Sequence, residues 1–201
     1  MPKNFVMIIT LIILAISGYK FIEGFDSEVT SVVSNIDNRH YLVLNRPNRR
    51  DVANELAKIR IRLENFVRHM HNKKDQIHSC GLSCKQAIKR MYDQFRSVIL
   101  ESKPESKFTS YTVNKGEKIY MCVREKKDGD NIIDENTLIF VALHELAHVM
   151  TKSVGHTKEF WDNFEFLLEH AVKDGFYKYH PYHQSPVPYC GTMISDTPFK
   201  I

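Results

Sequence analysis

The stretch HELAHVMTKSVGHTKEFW, residues 144–161, decides how the chain is read. His144 and His148 are four positions apart, with Glu145 following the first. The run from Leu138 to Met150 contains no Gly or Pro, and Asn136 or Thr137 is placed to cap its start. Leu138, Ile139, Val141, Leu143, Leu146 and Val149 spread apolar side chains nearly all round it. This predicts a buried central helix. Two imidazoles and a carboxylate inside such a helix are costly unless something compensates them, and a bound cation does so.

Histidines at i and i+4 project from one face, so both rings can reach one Zn²⁺ at about 2.0–2.1 Å. Glu145 then lies beside the ion and not on it. There it takes a proton from zinc-bound water and passes it to the leaving amine of a protein or peptide substrate. The pattern predicts a zinc-dependent peptidase with His144 and His148 as ligands and Glu145 as general base. A structural zinc site is the alternative, but it leaves Glu145 without a role.

The third ligand is read as His156, which follows Gly155 and directly precedes Thr157, a helix-capping residue. The helix that Thr157 opens is expected to run to Asp174 and stop at Gly175. Glu165 and Glu169 on that second helix are the competing third ligands. The metzincin arrangement H-E-x-x-H-x-x-G-x-x-H is not matched, because its last position is Val154. HELAH followed by GHTKEFW resembles the SprT and WLM group of zincin-type metallopeptidases. The resemblance implies a minimal α+β zincin-like fold, with an active-site helix, a β-hairpin or small sheet, and a second packing helix. It also implies His144, His148 and His156 as metal ligands, Glu145 as catalytic base, and Phe160 and Trp161 as residues packing the second helix onto the first. It does not carry over the substrate class of the soluble members that act on proteins crosslinked to DNA.

Outward from the motif, residues 51–201 are expected to form the zincin-like domain. Val52, Leu56, Ile59, Leu63, Phe66 and Met70 recur every three or four positions, predicting an amphipathic helix over Asp51–His71. A second helix is marked by Ala87, Ile88, Met91, Phe95, Val98 and Ile99, ending before Pro104. Phe108 to Arg124 reads as a hairpin about the turn Asn114-Lys115-Gly116-Glu117. The tail from Phe176 to Tyr189, FYKYHPYHQSPVPY, is expected to fold back over the domain in extended segments. Its aromatic residues are read as packing, with lining of a cleft by Tyr177, Tyr179, His180, Tyr182 and His183 as the competing role. Four cysteines, Cys80, Cys84, Cys122 and Cys190, allow three pairings of two disulfides, or free thiols.

At the N-terminus, FVMIITLIILAI (residues 5–16) continues to Ile22 with Lys20 as its one charge, about 27 Å as a helix. This is read as a single-pass anchor over residues 5–22, within a segment 1–25. A cleaved signal peptide and secretion is the alternative. Lys and Arg placement leans weakly toward an extracytoplasmic catalytic domain. Residues 26–50 are read as a linker. From Arg46 to Lys74 there are nine Lys or Arg against three Asp or Glu, about +6. A solvated face accounts for this; contact with anionic lipid or nucleic-acid phosphate is the sharper reading. The competing function class is a non-catalytic membrane or virion protein that uses the domain as a scaffold.

Overall fold

In the computed structural model, residues 28–125 and 131–201 are described. The first element is a hairpin, β1 (Val29–Val33) antiparallel to β2 (His40–Leu44). It stands where a linker was expected over residues 26–50. Alternation explains it: Val32, Tyr41 and Val43 turn inward onto the core while Val33 and Leu42 face out. Among the described residues no helix is long and apolar enough to cross a membrane. This corrects the expectation of a single-pass anchor and of membrane localisation. The segment 5–22 on which that expectation was placed lies outside the described residues.

Helix α1 spans Arg49–Lys73 and buries the expected stripe, with Leu56, Ile59, Leu63, Phe66 and Met70 at most 1% exposed. Its basic face is largely spoken for by internal carboxylates. Arg60 is buried against Asp37 (3.0 Å) and the Tyr41 hydroxyl (2.8 Å), and pairs with Glu64. Arg62 reaches Glu135, and Lys58 reaches Glu55. The +6 of the sequence segment is therefore not a continuous cationic surface.

Helix α2 (Leu82–Gln94) is shorter than its periodicity predicts. Val98 and Ile99 belong instead to the approach and start of β3 (Ile99–Glu101), after Ser97 takes a positive φ of 57°. The apolar spacing looks helical, but these β-branched residues favour a strand once the chain turns. β3 runs parallel to β5 (Lys118–Met121), which pairs antiparallel with β4 (Tyr111–Val113), giving the order β3-β5-β4. The predicted hairpin is thus present. Its turn passes through Asn114, Lys115 and Gly116, all at positive φ. A Cβ on Gly116 would lie 2.8 Å from Val149 Cγ1 and 2.9 Å from the Gln94 carbonyl oxygen. Only glycine lets this turn sit on the following helix.

Helix α3 spans Glu135–Met150, and α4 spans Lys158–Lys173. The cap of α3 is Asp134, whose Oδ2 accepts from the Thr137 N–H at 3.0 Å, and not Asn136 or Thr137. Thr157 caps α4 as expected, and Gly175 at φ 76° follows its end. Phe160, Phe164, Leu167 and Leu168 seal α4 into the core with α3.

The tail closes with β6 (Val187–Tyr189) antiparallel to β7 (Thr192–Ile194). Tyr182 is fully buried, 4.6 Å from the Phe140 ring, so it serves packing. Two disulfides form, Cys80–Cys84 and Cys122–Cys190. The second ties the tail beside β5, where the Tyr189 hydroxyl donates to the Cys122 carbonyl at 3.0 Å and meets Ser110 Oγ at 2.6 Å. The ring it closes spans 68 positions, for which the loss of unfolded-state entropy is worth about 4 kcal/mol. Replacing Cys122 and Cys190 together by Ser should lower unfolding free energy by about that amount, while loss of the Cys80–Cys84 pair, with its short loop, should cost about half as much. Urea unfolding of the two double variants checks the order.

Candidate metal centre

His144 and His148 leave α3 on the face toward the β4–β5 hairpin, and His156 returns on the loop between α3 and α4. One nitrogen from each ring can be chosen so that all three lie within 4.8 Å of one another. The Nε2 atoms of His144 and His156 are 3.0 Å apart. Two nitrogens bound at about 2.0–2.1 Å to a tetrahedral ion lie roughly 3.3 Å apart, so the His144–His156 pair already stands near the spacing that one zinc needs. Glu165 and Glu169, the competing third ligands, are exposed on α4 and stand outside this group.

Burial, followed by the charge of the neighbouring histidines, lowers the His144 pKa to about 3. Burial and then His156 lower that of His148 to about 4. Both rings are therefore neutral at pH 7, with lone pairs ready for a cation. Phe160 lies under all three imidazoles, with ring centroids 4.9 Å from His144, 4.3 Å from His148 and 4.7 Å from His156. It is an apolar floor that holds the rings near each other.

Glu145 is 3% exposed and comes from the same helix turn as His144. Burial pushes its carboxyl up to about 7, against the opposing pull of a hydrogen bond from Thr112. Thr112 Oγ1 lies 2.8 Å from Glu145 Oε2 and 3.1 Å from the Glu145 carbonyl oxygen, donating its one proton to one or the other. A carboxyl near neutrality, oriented by a neighbouring hydroxyl, is suited to accept and release a proton. Sequence reasoning did not single out Thr112; its position on a strand beside the helix becomes visible only with the sheet assembled.

Lys115 was also missed. Its Nζ donates to the carbonyl oxygens of His148 (3.3 Å), Thr151 (2.9 Å) and Ser153 (2.6 Å). Arg90 Nε donates to the Met150 carbonyl at 2.9 Å. Two cations thus satisfy the free carbonyls at the C-terminus of α3, where the helix dipole favours positive charge. From the other side, Glu159 accepts from the Lys152 N–H at 3.0 Å and the Ser153 N–H at 3.2 Å. The loop that delivers His156 is held at both ends.

A cleft of about 490 Å³ opens on the group, bounded by Phe108 and the β4 residues Tyr111 and Thr112 on one side and by 154–156 on the other. The tail residues Tyr177, Tyr179, His180, Tyr182 and His183 do not line it. Another cavity, at Glu101 and Arg124, lies away from the histidines and contains a buried ion pair at 2.9 Å. The two buried charges there neutralise each other, whereas the histidine cleft gathers three imidazoles and a carboxyl.

Residues 86–180 match the family model of the WLM domain. The uncharacterized protein R325 of Acanthamoeba polyphaga mimivirus is 35% identical over 178 residues, covering 87% of this chain and 86% of the relative. The chain belongs to the WLM family. The uncharacterized protein 136R of Invertebrate iridescent virus 6 is 45% identical over 83 residues, 41% of this chain and 46% of that protein. Among solved structures, the crystal structure of Wss1 from Saccharomyces cerevisiae is similar at 19% identity and a TM-score of 0.44, covering 66% of this chain and 88% of that one. The WLM match contains α3, α4 and the β4–β5 hairpin, the elements that carry the site just described.

Lys115→Met keeps the aliphatic stem and removes the cation that gathers three carbonyls. Zinc affinity, measured by competition with a chromogenic chelator, should fall on the order of tenfold with helix content unchanged.

Proposed function

We propose that this WLM-family chain is a zinc-dependent peptidase, with residues 51–201 as its catalytic domain and a protein or peptide as its substrate. The observation that supports it most is Glu145: a buried carboxyl held near neutrality beside three gathered imidazoles and oriented by Thr112. A site that only stabilises the fold has no use for such a group. His144, His148 and His156 would hold the ion. When bound, zinc supplies a Lewis acid that polarises the peptide carbonyl and makes a water more acidic.

The chain's own residues do the rest. Glu145 Oε1 or Oε2 accepts the proton of the attacking water and then delivers it to the nitrogen of the departing amine. Thr112 keeps the carboxyl aimed while its charge changes. The apolar surroundings that raise its pKa also make the proton easy to hold and to release. Phe108 and Tyr111 provide an aromatic wall along which a polypeptide can lie.

Glu145→Gln preserves size and removes the base. The variant should bind one zinc per chain like the wild type and lose turnover of a fluorogenic peptide library by a factor of about 10²–10⁴. A chelator should abolish wild-type cleavage, and added zinc should restore it. Equal turnover in Glu145→Gln and wild type would falsify the proposed role.

A further inference from the structure

His144 has two faces. One meets His156 in the cleft; the other forms part of a second cavity of about 310 Å³. Its walls are Phe140 and His144 of α3, Trp161 and Phe164 of α4, and the tail segment 196–198. Phe164 stands edge-on to His144 at 5.2 Å and lies 5.3 Å from Phe140. Phe140 and Phe164 are buried, yet Trp161 beside them is 44% exposed. It does not pack α4 onto α3, as the sequence led one to expect; it forms the open side of the pocket. Asp196, at the rim, is the only charged side chain among the lining residues.

We infer that this pocket receives one large, uncharged apolar side chain of a polypeptide, next to the bond cleaved at the neighbouring cleft. Its volume is at the low end of small-molecule sites, roughly 300–1,000 Å³, which suits a single side chain better than a whole ligand. The aromatic walls reward apolar area. The rim carboxylate of Asp196 pairs with Lys200 at 3.7 Å, and the aromatic wall itself offers an acidic side chain no cation. Because the imidazole of His144 divides the pocket from the cleft, a chain whose carbonyl lies in the cleft carries its neighbouring side chain past that ring. The placement next to the scissile bond rests on the peptidase reading; the pocket's choice of side chain does not.

The chain contains one tryptophan, Trp161, so its fluorescence reports on this pocket. Glu145→Gln protein is titrated with N-acetyl-phenylalaninamide, N-acetyl-alaninamide and N-acetyl-aspartamide, exciting tryptophan selectively. A saturable change is expected with the phenylalanine compound alone. In parallel, peptide-library cleavage by the wild type should favour large apolar residues at one position flanking the cut. Trp161→Ala should reduce that preference on the order of tenfold, and Trp161→Tyr should retain most of it. Glu145-dependent cleavage with no such preference and no selective fluorescence change overturns the pocket and leaves the peptidase reading standing. A selective, saturable change without Glu145-dependent cleavage sustains the pocket's side-chain preference and overturns the peptidase reading.

Discussion

Helix α3 is buried along most of its length and nonetheless carries two imidazoles and a carboxylate. The dehydration of these groups on α3 is the constraint to which much of the surrounding structure responds. The imidazoles respond by staying neutral, since burial drives their pKa values down. Glu145 responds in the opposite direction and takes the Thr112 hydroxyl as its partner. Phe160 and Phe164 supply ring contacts that fill the space water would otherwise occupy. The β4–β5 turn is part of the same solution. Gly116 lets it approach Val149 closely, and β4 and the turn then present Thr112 and Lys115 to different parts of the site.

The site is built from short-range and long-range information in unequal parts. His144, Glu145 and His148 are fixed by helical spacing, so they could be placed together from sequence. His156 could be brought near them because Thr157 marks the entry of α4 and limits the intervening loop. Thr112, Lys115 and Arg90 were illegible for a different reason: each acts on α3 from more than thirty positions away. No local pattern distinguishes such a threonine or lysine from one facing solvent. Trp161 was misread because a resemblance assigns a residue type to a packing role without showing which side of the helix is already full.

The same division holds for the fold. The long apolar periodicity of α1 and the β-formers flanking the 114–117 turn were sufficient to identify those elements. The β1–β2 hairpin was not, because its five-residue strands bury few side chains and take their stability from α1 and from Glu101, whose Oε2 accepts the Leu44 N–H at 2.7 Å. The basic run 46–74 shows how composition misleads at the surface. Its charges were counted correctly, but two of the carboxylates that pair with them, Asp37 and Glu135, lie outside the window that was counted.

The Cys122–Cys190 bond has a mechanical meaning beyond its entropy. Both helices of the metal centre, with the loop bearing His156, lie inside the covalent ring it closes. Tension applied along the chain from either side enters at one cysteine and leaves at the other, bypassing the segment between them. While the bond is oxidised, pulling can strip away β1, β2 and α1 without stretching the backbone that carries the three histidines. Reduction would put that backbone in series with the load.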